Sequence, residues 1–336
     1  MTGSLGKLVI VLGLIAVSQG GGAWAEPVPA TIIGLDPRFD PLVPRDAKLE
    51  KIADGFTWVE GPVWHQEGRY LLFSDIPSNS VYKWKPGEGV SLFVKNSGYS
   101  GTIPFTGKEP GSNGLTLDAQ GSLVLCRHGD RQIGRLESNG TIVPLAEHYA
   151  GYRLNSPNDL VFKSNGDLYF TDPPFGLPRA FDDSSKAPVQ GVYRLSKDGT
   201  VTLLIHDLKA PNGIAFSPDE HILYVSDVDP KHAAWLAYDV RQDGTVTNGR
   251  VLLDATRWRK DPFFGPDGFK VDRYGNIFGA RPDGLSVIAP DGTLLGTIET
   301  GQPMSNVAWG EDGRTLFMTG GGAVYRLRLT TSGAGY

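Results

Sequence analysis

A short pattern that recurs six times constrains the fold of this chain more than any other feature. Each copy begins with a residue that carries a side-chain oxygen, continues as an alternating apolar stretch, and reaches a second apolar run after a turn. The six first residues, which we call the starters, are Glu60, Asn113, Asn158, Asn212, Asp267 and Asn306. Successive starters lie 39 to 55 residues apart. Repetition on this scale is typical of proteins built from copies of one supersecondary unit.

The remainder of each copy supplies further strands of a small sheet. A third apolar run follows in every copy, and a fourth appears in five of them, as at residues 201–204 and 251–253. The sixth copy runs out without a fourth strand, while a spare strand at residues 47–52 precedes the first copy. We therefore predict a six-bladed β-propeller of four-stranded antiparallel blades over residues 47–329, with the ring closed by the N-terminal strand. The alternative is a β-sandwich whose Asn-Gly turns coincide by chance.

Length and composition allow one large domain with a substantial core. The chain has 336 residues, 40% of them hydrophobic, and all-β folds often exceed about 200 residues as one unit. Its net charge of −5 gives no positive field for a phosphate backbone, so we expect no nucleic-acid partner. Cys126 is the single cysteine, which excludes an internal disulfide, and its position in an apolar run predicts a core residue.

The first 25 residues have the layout of a secretory signal peptide. Lys7 precedes an apolar run over residues 8–17, and small residues lead to Ala25 before Glu26. The run is about half of the ~20 residues that a membrane-spanning helix needs, which argues against a membrane anchor. We predict cleavage near Ala25 and a periplasmic or secreted protein without membrane contact. The predicted mature chain has an N-terminal extension over residues 26–46 and a C-terminal tail over residues 330–336.

The starters should converge, because the inner strand of every propeller blade begins beside the central channel on one face. Carboxylate and amide oxygens, without a histidine or cysteine cluster, are the ligands of a hard divalent cation. Glu60 and Asp267 would together neutralise such an ion. We therefore predict one bound divalent metal ion, with Ca²⁺ preferred and Mg²⁺, Mn²⁺ or Zn²⁺ as alternatives. The competing interpretation is a channel filled by hydrogen-bonded amides and water.

Five segments carry a likeness to a known family. They are FTWVEGPVW (56–64), SPNDL (156–160), LYFTDPPFG (168–176), PNGI (211–214) and GPDG (265–268). Together they resemble the gluconolactonases and the related regucalcin, also called senescence marker protein, over about residues 47–329. Members of that family are six-bladed propellers with a divalent metal in the central channel, so the resemblance implies the same fold and the same kind of site.

The resemblance also implies roles for individual residues. It places metal ligands at Glu60, Asn212 and Asp267, and it gives Asn158 a position either on the metal or on the substrate and water beside it. Asp267 matches the residue proposed as the acid/base. The implied reaction is hydrolysis of a sugar lactone, such as glucono-1,5-lactone or a related aldonolactone. In this hypothesis a metal polarises the carbonyl and Asp267 assists the attack of water.

Further polar residues are predicted near the pocket from their positions in loops. The loops after the second strand of each blade should share the face of the starters, which brings Asp75, His128, Asp172, Asp227 and Arg281 towards the rim. The candidate substrate contacts are Asn113, Asn158, His128 and Asp172. Asn306 has no following glycine and is expected only to line the channel.

Two other functions stay open at this point. One is an aryl-ester or organophosphate hydrolase that uses the same metal-binding propeller. The other is a non-catalytic sugar-binding propeller in which the ion is structural. A sugar-lactone pocket should be polar, so an apolar rim would favour the aryl-ester or organophosphate hydrolase.

Overall fold

The computed structural model describes residues 25–259 and 264–336. The predicted signal peptide therefore lies outside the described residues except for Ala25. The described chain is built of β-strands, with single 3₁₀ turns at Ala180–Asp182 and Thr256–Trp258. None of its helices is long and apolar enough to cross a membrane.

Most of the strands form consecutive groups of four, which we number as blades, and the N-terminal segment and one hairpin lie outside these groups. The N-terminal segment contributes β1 (Glu26–Val28), β2 (Thr31–Gly34) and β3 (Leu49–Asp54). Blades 1 and 2 contain β4 (Val59–His65), β5 (Tyr70–Asp75), β6 (Ser80–Lys85), β7 (Gly89–Lys95), β8 (Ser112–Leu117), β9 (Leu123–Arg127), β10 (Gln132–Leu136) and β11 (Ile142–Ala146). A small hairpin, made of β12 (His148–Tyr149) and β13 (Tyr152–Arg153), follows blade 2.

Blades 3 and 4 contain β14 (Leu160–Phe162), β15 (Leu168–Asp172), β16 (Gly191–Leu195), β17 (Val201–Ile205), β18 (Pro211–Phe216), β19 (Ile222–Asp227), β20 (Ala234–Val240) and β21 (Val246–Asp254). Blades 5 and 6 contain β22 (Phe269–Val271), β23 (Ile277–Arg281), β24 (Gly284–Ile288), β25 (Leu294–Glu299), β26 (Asn306–Gly310), β27 (Thr315–Gly320) and β28 (Ala323–Arg328).

The pairing of these strands confirms the predicted six-bladed propeller. Blades 1 to 5 each contain four consecutive antiparallel strands, and the first strand of each blade contacts the first strand of the next. The series β4, β8, β14, β18, β22 and β26 returns to β4, so the inner strands form a closed ring. Blade 6 receives its fourth strand from β3, which pairs with β28 from Leu49 opposite Leu327 to Asp54 opposite Ala323. The ring is therefore closed by the N-terminal strand.

Residues 26–46 and 330–336, outside the repeats, pack into the fold, which the sequence pattern did not predict. Strand β1 pairs with β3 at the edge of blade 6, and β2 pairs with β25 at the edge of blade 5. Phe39 and Val43, between β2 and β3, are fully buried in the core shared with these blades. At the other end, Thr331 donates a hydrogen bond from Oγ1 to Oδ2 of Asp272 at 2.9 Å. Both termini thus brace blades 5 and 6.

The core lies between neighbouring blades rather than at one centre. Cys126 of blade 2, for example, packs with Phe170 and Tyr193 of blade 3. Its thiol is fully buried, and burial raises its pKa well above the ordinary range. This agrees with the prediction that Cys126 is a core residue. Because blades bury both faces against their neighbours, stability comes from these shared apolar layers.

Candidate functional site: the axial ring

The six starters lie at the beginnings of the inner strands, on the face that we call the upper face. Glu60, Asn113, Asn158, Asn212 and Asn306 are buried, with 2–8% of their surface exposed, and Asp267 keeps partial exposure. Their burial follows from the ring, since each inner strand has a neighbouring blade on either side. The structure therefore brings the predicted starters together on the axis.

Glycines after the starters allow the blades to approach closely. A Cβ on Gly114 would lie 2.6 Å from the carbonyl oxygen of Asn158, and a Cβ on Gly213 would lie 2.6 Å from that of Asp267. Gly114 also donates its N–H to the Asn158 carbonyl at 2.7 Å. These Asn-Gly pairs are thus contacts between successive blades and not hairpin turns.

Hydroxyl groups at the ends of the second strands connect three of the starters to the preceding blade. Ser74 and Thr171 donate hydrogen bonds to the carbonyls of Asn113 and Asn212, at 2.9 and 2.7 Å. Ser226 makes two contacts with its hydroxyl, which accepts from the N–H of Gly213 at 2.8 Å and donates to the Asp267 carbonyl at 2.9 Å. The backbone of the ring is therefore fixed by side chains from the blade before.

The aspartates that follow these hydroxyl residues hold the upper loops. Asp75 accepts the N–H of Trp58 at 3.0 Å, Asp172 accepts that of Asn155 at 2.7 Å, and Asp227 accepts that of Ala210 at 2.7 Å. Each bond fixes the segment just before a starter. Burial raises the pKa of Asp172 to about 7 and that of Asp227 to about 6.

The sequence analysis did not predict that these aspartates hold the loops before the starters, although a signal was present. A Ser-Asp or Thr-Asp pair ends the second strand in blades 1, 3 and 4. The structure places Asp172, predicted as a substrate contact, among backbone groups of its own loop. It also borders a cavity of about 180 Å³ lined largely by Tyr149, Tyr152 and Tyr193, which includes none of the starters. The other rim candidate, Arg281, pairs with Glu299.

The four predicted metal ligands form one connected group. Asn158 donates from Nδ2 to Oδ1 of Asn212 at 2.9 Å, and the Asn212 side chain hydrogen-bonds to Asp267. Burial raises the pKa of Glu60 well above its ordinary range, and the charge of Asp267 adds to this effect. Burial likewise raises the pKa of Asp267 to about 8. Buried carboxylates that repel one another in this way favour a proton or a cation between them.

A third carboxylate of the ring was not among the predicted ligands. Asp159 is buried, and its Oδ2 lies 3.8 Å from Nζ of Lys270 and 3.4 Å from Nδ2 of Asn306. Its charge contributes to the raised pKa of both Glu60 and Asp267. Asn306, predicted to line the channel, thus supports this carboxylate. The signal was an aspartate after the third starter, where four of the other five copies have glycine.

The donor chemistry of the ring fits a hard divalent cation. Within residues 25–259 and 264–336, no three His, Cys, Asp or Glu side chains are grouped so that they alone could hold a metal ion. The asparagine amides would therefore have to complete the ligand set around Glu60 and Asp267. Oδ1 of Asn113 is buried without a hydrogen-bond partner in the described chain, so the ring retains an oxygen for a ligand. Amide and carboxylate oxygens of this kind suit Ca²⁺ or Mg²⁺.

His128, another predicted substrate contact, is enclosed beside the ring. Its side chain is fully buried, and Nδ1 lies 3.2 Å from Oε2 of Glu109. This is ion-pair distance without hydrogen-bond geometry, since neither ring nitrogen has a hydrogen-bond partner among the residues described. On another part of the rim, Trp58 and the exposed Phe264 pack edge to face at 5.7 Å. The rim therefore combines a polar pair with an aromatic pair.

Comparison with known proteins adds to this geometry. The sequence profile of the SMP-30/Gluconolactonase/LRE-like region matches residues 58–322, which include all six starters. The chain belongs to this family. It is 40% identical over 315 residues to a gluconolactonase of Zymomonas mobilis, covering 90% of this chain and 87% of that protein.

Solved structures agree with the fold. A gluconolactonase from Xanthomonas campestris superposes with a TM-score of 0.79 at 33% identity. The match covers 92% of the present chain and 98% of the Xanthomonas chain. Regucalcin from Agrobacterium tumefaciens, described as a calcium-binding protein, gives a TM-score of 0.67 at 18% identity over 92% of this chain and 97% of its own. The second likeness concerns the fold alone.

Proposed function

We propose that this propeller is a metal-dependent hydrolase that opens a sugar lactone, glucono-1,5-lactone or a related aldonolactone, to the aldonic acid. The observation that carries the proposal is the axial group of Glu60, Asn158, Asn212 and Asp267, buried at one end of the ring. The similarity to gluconolactonases supports the substrate class. The carboxylate and amide oxygens of this group support a divalent ion, with Ca²⁺ preferred.

The residues that would hold the metal are Glu60, Asn212 and Asp267, with Asn158 either as a fourth ligand or as a contact to substrate and water. When bound, a divalent cation would supply Lewis-acid polarisation of the lactone carbonyl. Oδ1 of Asn113, which has no hydrogen-bond partner among the described residues, could accept a hydrogen bond from a substrate hydroxyl. These side chains orient the substrate over the channel.

Asp267 is the residue that moves the proton in this proposal. Burial, supplemented by the charge of Asp159, raises the pKa of its carboxyl to about 8. In its ionised form, which a bound divalent cation would favour, this carboxyl could accept a proton from the attacking water and return it to the ring oxygen that leaves. The Asp267 backbone is held by Ser226, which fixes the carboxylate in relation to the other starters.

The decisive experiment follows acid release from glucono-1,5-lactone in a pH-stat. Wild type is compared with and without chelator, and Asp267→Ala is compared with Asp46→Ala, which removes an exposed carboxylate of the N-terminal segment. Activity should be lost in the chelated and Asp267→Ala samples and retained in Asp46→Ala. Acid release at the spontaneous rate in every sample would exclude the lactonase proposal and leave a sugar-binding propeller.

One observation favours a second substrate class. The pair of Trp58 and Phe264 puts two aromatic rings on the rim, with Phe264 38% exposed. Such a surface can pack against the aryl group of an ester. Comparison of kcat/KM for phenyl acetate and glucono-1,5-lactone tests this, because an aryl esterase would prefer phenyl acetate.

Export is proposed from the predicted signal peptide. Strand β1 begins at Glu26, directly after the predicted cleavage position, so processing there would leave every described strand in place. The N-terminal sequence and mass of the protein recovered from periplasm or medium test this. A mature chain that keeps residues 1–25 would contradict it.

A further inference from the structure

Glu109 is a charged residue beside the ring to which the proposed reaction assigns no role. It lies in the long connection between β7 and β8, four residues before the starter Asn113. Its side chain keeps 35% exposure, whereas the His128 side chain that it contacts is fully buried. Glu109 is thus the outer member of the pair, and His128 lies behind it.

His128 is fixed from several directions. The backbone N–H of His128 donates to the carbonyl of Gly111 at 3.2 Å, which connects the end of β9 to the segment that carries Glu109. The loop after β15 covers the imidazole of His128, since a Cβ on Gly176 would lie 2.3 Å from its Cγ. Because only a glycine fits against it, the imidazole has little freedom, and it gives the carboxylate of Glu109 a fixed neighbour at 3.2 Å.

Glu109 also faces the same end of the ring as the proposed acid/base. Burial is the main cause of the raised pKa of Asp267, and the negative charge of Glu109 adds to it. Asn113, whose Oδ1 lacks a partner in the described structure, begins the inner strand that follows. A partly exposed carboxylate and a buried amide oxygen without a partner in the described structure therefore belong to residues four positions apart, in the segment that leads into this inner strand.

We infer that Glu109, positioned by His128, binds hydroxyl groups of the lactone and gives the site its preference for polyhydroxylated substrates. A carboxylate has two acceptor oxygens, so it can receive two hydroxyl donors of a sugar ring. Hydrogen bonds to charged groups discriminate strongly against a substrate that lacks the donor. The inference rests on the proposed lactonase function and names the residue that selects its substrate.

The test compares two lactones with the same six-membered ester ring. Glucono-1,5-lactone carries hydroxyl groups, and δ-valerolactone carries none. Glu109→Gln and Glu109→Ala should raise KM for glucono-1,5-lactone about 10- to 100-fold, the range for losing one or two hydrogen bonds to a charged group. The KM and kcat for δ-valerolactone should stay within about twofold, since this substrate offers no donor.

Two further variants separate substrate binding from a structural role. Glu67→Gln changes an exposed glutamate in the turn after β4, on the opposite face, and should leave both substrates unaffected. His128→Gln should raise KM for glucono-1,5-lactone in the same direction as the Glu109 variants but less strongly. If the Glu109 variants change both lactones equally, or neither, Glu109 is only a structural partner of His128 and the inference is wrong.

The outcome for the proposed function is read separately. If wild type hydrolyses neither lactone, the lactonase proposal fails while the role of Glu109 is still decided by binding. Isothermal titration with 1,5-anhydroglucitol, a neutral six-membered ring that keeps the hydroxyl groups, should then show weaker binding to Glu109→Gln than to wild type. Equal binding by the two proteins would overturn the inference.

Discussion

The hydroxyl of Ser226 provides a sharp test of how the ring is held together. It accepts the N–H of Gly213 in its own blade and donates to the carbonyl of Asp267 in the next blade. The residue is fully buried, so water cannot replace either bond. Ser226→Ala therefore leaves one donor and one acceptor of the ring without a partner.

The expected cost follows from these two groups. A buried polar group left without a partner costs about 1–3 kcal/mol, so the two groups together should lower the free energy of unfolding of Ser226→Ala by about 2–6 kcal/mol. Ser286 supplies a matched control, because it is also fully buried but its Oγ has no hydrogen-bond partner in the described part of the chain. Ser286→Ala should be neutral within about 1 kcal/mol or slightly stabilising.

Equilibrium unfolding in urea, monitored by tryptophan fluorescence, measures both variants against wild type. Lactone hydrolysis should fall in Ser226→Ala and not in Ser286→Ala, since only the first releases the Asp267 backbone. The reasoning would be refuted if the two substitutions cost the same free energy, or if Ser226→Ala destabilised the protein without affecting activity.

Three further predictions concern other parts of the structure. Burial raises the pKa of Asp172 to about 7, so the folded state retains a proton that the unfolded chain has lost above its ordinary pKa, and this stabilisation disappears as the pH rises through 7. Between pH 4 and 7 the free energy of unfolding should fall less steeply in Asp172→Asn than in wild type, and the two slopes should differ by up to about 1.4 kcal/mol per pH unit. The same pH profile for both proteins in urea titrations would contradict this. Gly213→Ala should lower the free energy of unfolding by about 1–3 kcal/mol, because the added Cβ would press against the Asp267 carbonyl, and it should also lower kcat. Urea unfolding measures the first effect and the pH-stat assay the second. A substitution without either effect would show that the blades can separate. Phe39→Ala should cost about 3–5 kcal/mol in urea unfolding if the N-terminal segment is part of the core, and almost nothing if that segment is only an appendage.

The sequence was a good guide wherever the repeat supplied a register. The starters could be aligned because each precedes an alternating apolar stretch, and alignment alone places them on one face. Even the closing strand was predictable, since blade 6 lacked a strand that residues 47–52 could supply. Strands β1 and β2 could not be predicted, because both are short. The partner of β2 also lies about 270 residues away in the sequence.

Side-chain directions within the site were harder to predict for a related reason. Asp172 was correctly expected on the upper face, yet its carboxylate turns to the backbone of Asn155, a contact that depends on the path of a loop. Asp159 was passed over because it occupies a position where four of the other five copies have glycine. The Asp159 and Lys270 contact joins blades 3 and 5, and no local pattern reports such a pair.

The closure of the ring has a consequence for how the chain reaches its native state. Blades 1 to 5 are made of consecutive hairpins that can form as soon as their own residues are available, whereas β3 must wait for β28, more than 250 residues later. Contacts of such separation form late and slowly. A chain interrupted before residue 323 would keep β3 and β27 as bare sheet edges, which are templates for pairing with other molecules. Products truncated before β28 should therefore aggregate, because residues 323–328 decide whether the ring closes or keeps exposed sheet edges.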